Sequence, residues 1–272
     1  MDIYEKITAF YNTVKTEKSV IGKSLFGRSV YAMKVGSGSP VGLVQYAMHG
    51  REFVTALLAI EQYKTGVAKG SCWFVPLVNP DGALLSEKGI DTAPKAYRQA
   101  LIKMNGGDDF TLWKANGRGV DLNVNFPAKW GKGIRNTRIA GAENCVGARP
   151  FSEPETLALK KFTLQVCPDY TVSYHTKGEE IYWYFDQSTR TCPRDKRLAE
   201  VLSAVTGYPL AYVKGSVGGY KDWCIRQLQI PAFTVEAGAD EFLHPLRENA
   251  LDDILEKNAA AIYALSKEIE NE

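Results

Sequence analysis

A histidine and a glutamate three residues apart, His49 and Glu52 in the stretch LVQYAMHGREF, are the first residues of this chain whose types and spacing could do chemistry. Imidazole nitrogen and carboxylate oxygen both bind zinc, and side chains three apart at the start of a helix point the same way. His175 ends the β-type run DYTVSYH, and Glu236 ends PAFTVE. A carboxylate behind a mostly apolar run sits partly buried and costs free energy unless it is paired. Together His49, Glu52 and His175 offer two nitrogens and one carboxylate for one zinc ion per chain, leaving a fourth position open for water. That is the ligand count of a catalytic site, because structural zinc sites are usually closed by four protein ligands. Zinc would bring the pKa of water down to roughly 7, and Glu236 would take the proton during attack on a carbonyl. The reaction class is amide or ester hydrolysis. The developing oxyanion needs a positive donor, for which Arg118 in WKANGRGVDLN is the first candidate and Lys114 the second.

These positions require strands that end side by side. Residues 41–48, 71–78, 170–174 and 232–235 are β-type runs that end in short polar or Gly-containing turns and lead into helical patterns, the first into a helix over 53–63. Such alternation predicts an α/β fold, a mixed and mostly parallel sheet with helices on both faces. In open α/β sheets the ligand crevice lies beyond the carboxyl ends of the strands. Ser152-Glu153-Pro154-Glu155 reads as a capping box that starts a helix running to Val166. Further helices are expected at the N-terminus (Ile3, Ile7, Phe10, Tyr11, Val14), after Pro193, and at the C-terminus, where Leu251, Ile254, Leu255, Ile262, Leu265 and Ile269 form one stripe. The stretches 91–109 and 129–149 lack periodicity and read as long surface loops. GSGSP, at 36–40, is a hairpin or connection that lacks the lysine of a phosphate loop.

A length of 272 residues fits one large α/β domain over 1–272. A net charge of +2 with 24% charged residues excludes a basic nucleic-acid footprint. No unbroken apolar run suits an export signal or a membrane span. Five dispersed cysteines without a CxxC pair read as reduced thiols, which points to a cytoplasmic protein, the alternative being a secreted one whose signal has been removed. Cys224 beside Trp223 reads as core, and His244 as a packed turn residue.

Six segments in order resemble the zinc metallocarboxypeptidases of the carboxypeptidase A and B type: HGRE (49–52), PLVNPDG (76–82), GVDLN (119–123), the SYHT histidine at 175, GGYKDW (218–223) and FTVEAG (233–238). The resemblance implies a mixed sheet of about eight strands between helices, His49, Glu52 and His175 as zinc ligands, and Glu236 as general base. Two departures bear on substrate. The family's DLNRNF uses asparagine and arginine to grip a terminal carboxylate, but here the text is DLNVNF, with Val124 in the arginine's place. An isopropyl group cannot replace a bidentate guanidinium, and Asn123 remains only as a neutral donor. In GGYKDW the resemblance puts Lys221 on the floor of the pocket for the first residue after the scissile bond, where an ammonium favours a side chain bearing a carboxylate. HTKGEEIYW, at 175–183, is similar to the corresponding segment of bacterial γ-D-glutamyl-diaminopimelate peptidases. Diaminopimelate ends in a second amino-acid head, whose carboxylate would meet Lys221 and whose amine would meet Glu179 or Glu180. The expected function is zinc-dependent cleavage of the γ-D-glutamyl to meso-diaminopimelate bond in a peptidoglycan stem peptide or muropeptide. The alternatives are a conventional zinc carboxypeptidase, a deacylase of small N-acyl amino acids, and a non-catalytic peptidoglycan-binding homologue, which would have no need of Glu236.

Overall fold

A computed structural model describes residues 1–212 and 215–269. Among these, eight strands form one sheet: β1 (Lys18–Lys23), β2 (Ser29–Gly36), β3 (Val41–Tyr46), β4 (Ser71–Val75), β5 (Tyr170–His175), β6 (Glu180–Tyr182), β7 (Leu210–Ala211) and β8 (Ala232–Glu236). Their order is β1-β2-β4-β3-β5-β8-β6-β7, with β4, β3, β5 and β8 parallel at the centre and antiparallel additions on both sides. The helices are α1 (Ile3–Thr13), α2 (Thr55–Thr65), α3 (Pro80–Lys88), α4 (Lys95–Asn105), α5 (Pro154–Val166), α6 (Cys192–Thr206), α7 (Tyr220–Trp223), α8 (Glu248–Asn258) and α9 (Ala261–Glu268).

Parallel strands are covered on both faces, so their runs are buried and mostly apolar, and alternate residues go to different cores. Val44, Tyr46, Phe74 and Val172 pack with residues of α2, α6, α8 and α9, whereas Leu43, Trp73 and Val75 pack with Leu159 and Phe162 of α5 and Tyr220 and Trp223 of α7. All five cysteines are free thiols, and no helix among the described residues is long and apolar enough to cross a membrane.

From β3 the chain runs through α2 to β4 on one side, while β5 leads to strands on the other side. Connections that leave neighbouring strands in opposite directions open a crevice at the strands' carboxyl ends. His175 is the last residue of β5, and the register sets it beside Glu236 at the end of β8. From the end of β3 the chain leaves the sheet at Ala47, whose φ is 49°, and a single 3-10 turn over Gly50–Glu52 brings Glu52 under His49.

The NPDG segment clamps this corner. Asn79 accepts from Gly82 N at 2.9 Å, capping α3, and its Nδ2 donates to Met48 O and Ala115 O, both at 3.1 Å. One amide thus joins the chain after β3, the start of α3 and the loop that carries Lys114. Behind it Asp81 is fully buried and accepts from Ser24, Phe26 N and Arg28. Gly50 is needed because the backbones touch there: a Cβ would lie 2.4 Å from Gly82 O.

Three expectations change, and one pair of alternatives is settled. The capping box at 152–155 does not form: Glu153 caps α5 without a side-chain bond, because Asn116 takes its carboxylate and Asn125 takes the Ser152 hydroxyl. The single C-terminal helix is two, α8 and α9, redirected at Ala259 and Ala260 so that α8 meets α2 and α9 meets α6. Within 91–109 lies α4, which buries only Leu101 and so leaves no periodic stripe. GSGSP joins β2 to β3, which are not neighbours, and is therefore a connection and not a hairpin.

Because the obstructing atoms at Gly50 are backbone, Gly50→Ala is expected to cost about 1–3 kcal/mol, a fall in Tm of roughly 2–10 °C by calorimetry. Gly107, with no atom within 4 Å of its Cβ position, is the control, and Gly107→Ala should leave Tm unchanged.

Candidate active site

His49, Glu52 and His175 are all buried, and one potential ligand atom from each lies within 4.8 Å of the others. The two imidazoles turn Nδ1 toward the same carboxylate, His49 at 2.9 Å from Oε1 and His175 at 2.8 Å from Oε2, and the two Nδ1 atoms are 3.0 Å apart. Three lone-pair donors facing one point fit a small cation, and two imidazoles with a carboxylate suit zinc. The outer nitrogens agree with this. His49 Nε2 lies 3.2 Å from Asp121 Oδ1, so a proton held there leaves the Nδ1 lone pair free. His175 Nε2 is buried without a hydrogen-bond partner among the described residues, so whatever orients that ring acts at Nδ1. Burial disfavours the Glu52 carboxylate, yet the two imidazoles outweigh it and hold its pKa well below the usual range.

Asp121 is fully buried and divides its oxygens between two partners. Oδ1 faces His49 and accepts from Asn123 N at 3.0 Å, while Oδ2 lies 3.1 Å from Lys114 Nζ and accepts from Asn144 N at 3.2 Å. Burial opposes both charges of the Lys114–Asp121 pair, but mutual attraction wins, so the ammonium is raised and the carboxylate is held well below its ordinary value. Lys114 also belongs to the corner, since Gly50 N donates to its carbonyl at 2.9 Å.

A cavity of about 510 Å³ opens over these groups and is lined by His49, Lys114, Asn123, Val124, Arg135 and Glu236 among others. A second, of about 300 Å³, shares Asn123, Tyr182 and Glu236 with it and continues to Lys221, Asp222, Phe185 and Asp186. Glu236 therefore stands where the two meet. Its carboxyl is pushed up to about 7 by burial first, with Glu52 and Glu180 adding to the rise and His175 and Lys114 opposing it. A carboxyl near neutrality beside three converging donors can take a proton from water and return it.

Of the residues singled out in the sequence, His49, Glu52, His175, Glu236, Lys114, Asn123 and Lys221 come together around the two cavities. Arg118 does not. Its Nε lies 3.2 Å from Glu153 Oε2, because a buried carboxylate needs a cation more than the cleft does, and it lines neither cavity; Lys114 is the ammonium inside. Glu179 also leaves the cleft, paired with Lys257 of α8. Glu180 lies opposite Glu236 in register and accepts from Tyr182 at 2.6 Å, but it is not part of either wall. Lys221 does line the second cavity, though not as a lone cation: Nζ is 2.7 Å from Asp222 Oδ1 and 3.1 Å from Tyr184 O. Asn123 accepts from Tyr220 N at 3.1 Å, which ties it to the start of α7. Cys224 is buried and its thiol is pushed up to about 12, which leaves it a core residue.

Three residues of the cleft escape a reading of the sequence. Asp121 gives a signal, an acid between the apolar Val120 and Leu122. Asp222 gives a weaker one, directly after Lys221. Arg135 gives none, since it lies within the aperiodic 129–149.

A family model described as zinc carboxypeptidase matches residues 5–261. Gamma-D-glutamyl-L-diamino acid endopeptidase 1 of Lysinibacillus sphaericus is 33% identical over 248 residues, 84% of this chain and 62% of that protein. The chain thus spans less than two thirds of that relative. Murein peptide amidase A of Escherichia coli (strain K12) is 33% identical over 132 residues, 45% of this chain and 50% of that one. Among solved structures, bovine thrombin-activatable fibrinolysis inhibitor, in complex with tick carboxypeptidase inhibitor, superimposes with a TM-score of 0.76 at 20% identity over 98% of this chain and 96% of that one. That likeness confirms the mixed eight-stranded fold.

His175→Ala removes one of three donors from the cluster, so purified variant protein is expected to hold less than a tenth of the roughly one zinc per chain expected of the parent. Metal analysis by plasma mass spectrometry checks this, and full occupancy would take His175 out of the site.

Proposed function

The chain belongs to the zinc carboxypeptidase family, and from that premise we propose that it hydrolyses the amide bond between a γ-D-glutamyl residue and a diamino acid in peptidoglycan stem peptides, above all the γ-D-glutamyl to meso-diaminopimelate bond. His49, Glu52 and His175 would hold the zinc. When bound, zinc supplies a Lewis acid that polarises a carbonyl and makes water easier to deprotonate. Glu236, between the two cavities, takes the water proton and passes it to the departing nitrogen. Lys114 presents its ammonium to the oxygen that gains charge, and Asp121 keeps that ammonium charged and in place. Asn123 offers a neutral amide to the leaving half.

The observation that carries the reading is the substitution at Val124, which lines the cleft where the family's terminal-carboxylate arginine belongs. Removal of single C-terminal residues loses its anchor there. In exchange, the second cavity carries the adjacent, opposite charges of Lys221 and Asp222. A zwitterionic side-chain end, carboxylate beside ammonium, complements such a pair, and diaminopimelate has that end. Asp222 then takes the part expected of Glu179 or Glu180. The name of the Lysinibacillus relative, an endopeptidase of γ-D-glutamyl-L-diamino acid bonds, supports the same substrate class.

Incubation with tri-, tetra- and pentapeptide muropeptides, followed by mass spectrometry of the fragments, names the bond. Release of single C-terminal residues from ordinary peptides would return a conventional carboxypeptidase to first place. Glu236→Gln keeps the shape of the site but removes the base, so zinc should stay while kcat falls about 100-fold or more. A stem peptide with lysine in place of diaminopimelate lacks the carboxylate that faces Lys221, and its kcat/KM should be about ten- to a hundredfold lower. Lys221→Met should narrow that ratio; an unchanged ratio would eliminate Lys221 as the reader.

A further inference from the structure

A second ion pair stands in the cavity that holds Lys221. Lys129 and Asp186 line it together with Lys221, Asp222 and Phe185. Lys129 Nζ lies 2.5 Å from Asp186 Oδ2 and 5.3 Å from the centre of the Phe185 ring, and Lys221 Nζ lies 5.4 Å from the same ring centre. One aromatic ring thus gathers two ammoniums in one wall, each held by the ring and by a carboxylate. The two are not equally free. Lys221 and Asp222 are both nearly buried, and Nζ also donates to Tyr184 O, so this pair has no room to separate and shows a ligand no net charge.

Lys129 and Asp186 are each half-exposed, and an ion pair in contact with water is weak. Asp186 has a replacement cation as well: Arg226, which lies outside the cavity wall, places Nη1 3.0 Å from the same Oδ2. A carboxylate that draws Lys129 away therefore leaves Asp186 paired. Among the described residues of the wall, Lys129 is the ammonium that can be given to a ligand. Under the function proposed above, on which this inference rests, the cavity receives the side chain of the leaving half, and the zwitterionic end of diaminopimelate reaches the Lys221–Asp222 pair. Its carboxylate then stands beside Lys221 but also in the field of Asp222, which repels it. A second ammonium at Phe185 offsets that repulsion, while the amine of the same head keeps to Asp222.

We propose that Lys129 is a second reader of the carboxylate at the side-chain end of the leaving residue, acting with Lys221 beside Phe185, and so strengthens the selection of diaminopimelate over diamino acids that lack this carboxylate.

The test uses the zinc-loaded enzyme with L-Ala-γ-D-Glu-meso-diaminopimelate and its analogue amidated at the side-chain-end carboxylate. For the parent enzyme, amidation should lower kcat/KM about ten- to a hundredfold. In Lys129→Met, with zinc content measured as the check on folding, that ratio should shrink about two- to fivefold. Asp186→Asn removes the internal partner and leaves Lys129 to the substrate, so there the ratio should stay as large as in the parent or grow. An unchanged ratio in Lys129→Met overturns the inference and leaves the peptidase reading standing. So does an equal fall in Asp186→Asn, which would reduce Lys129 to holding Asp186 in place. Equal cleavage of both substrates by the parent overturns the assignment of this cavity and the inference with it, whereas cleavage of neither overturns the peptidase reading itself.

Discussion

Asp121 is a carboxylate with no exposed surface, held between an imidazole on one side and an ammonium on the other. Buried charge is costly, and it persists only where hydrogen bonds and opposite charge satisfy every oxygen. Here four groups do so, His49, Lys114 and the backbone amides of Asn123 and Asn144. Those groups come from the chain after β3, the loop after α4, the turn of GVDLN and the loop over 129–149. The need to satisfy one carboxylate therefore ties four separate segments into one wall of the cleft. It also sets the chemistry, because the bond to His49 leaves Nδ1 free as a donor and the bond to Lys114 keeps a positive charge beside Glu236.

The chemical residues at strand ends could be read from the sequence because two independent signals coincide on them. An apolar run marks the strand, and a polar group at its carboxyl end has nowhere to go but the crevice. His175 and Glu236 obey that logic without help from tertiary structure, and His49 with Glu52 needs only one turn of helix. The four central strands were readable for the same reason, since they are buried on both faces and mostly apolar; β1, β2, β6 and β7 were not. The choice between Arg118 and Lys114 was not readable. Both are basic residues of one loop, and what separates them is Glu153, a buried carboxylate distant in sequence that draws Arg118 away. The failed capping box has the same source: Asn116 and Asn125 reach Glu153 and Ser152 from other segments. Helix α4 escaped notice because a helix that buries one residue has no stripe to display.

The division of labour between sheet and loops follows from these supports. His49, Glu52, His175 and Glu236 sit on or directly beside strands whose ends are fixed by the ladder and by the Asn79 clamp, where a shift of one residue would turn side chains to the wrong face. Such positions tolerate little change. Val124 lies on a short turn, Arg135 on a loop, and Lys221 and Asp222 on the short helix α7 around that frame, where substitution alters charge without moving a strand. Loss of a guanidinium at Val124 therefore leaves the proton-transfer groups intact and alters only what can be held beside them. The pattern of pairing then decides what the cleft accepts. Lys221 is already matched by Asp222, so a lone carboxylate gains little from it and a zwitterionic end gains more. On the function proposed above, an amino-acid head on the leaving half would meet both charges of that pair at once, whereas the side chain of an ordinary residue would meet at most one.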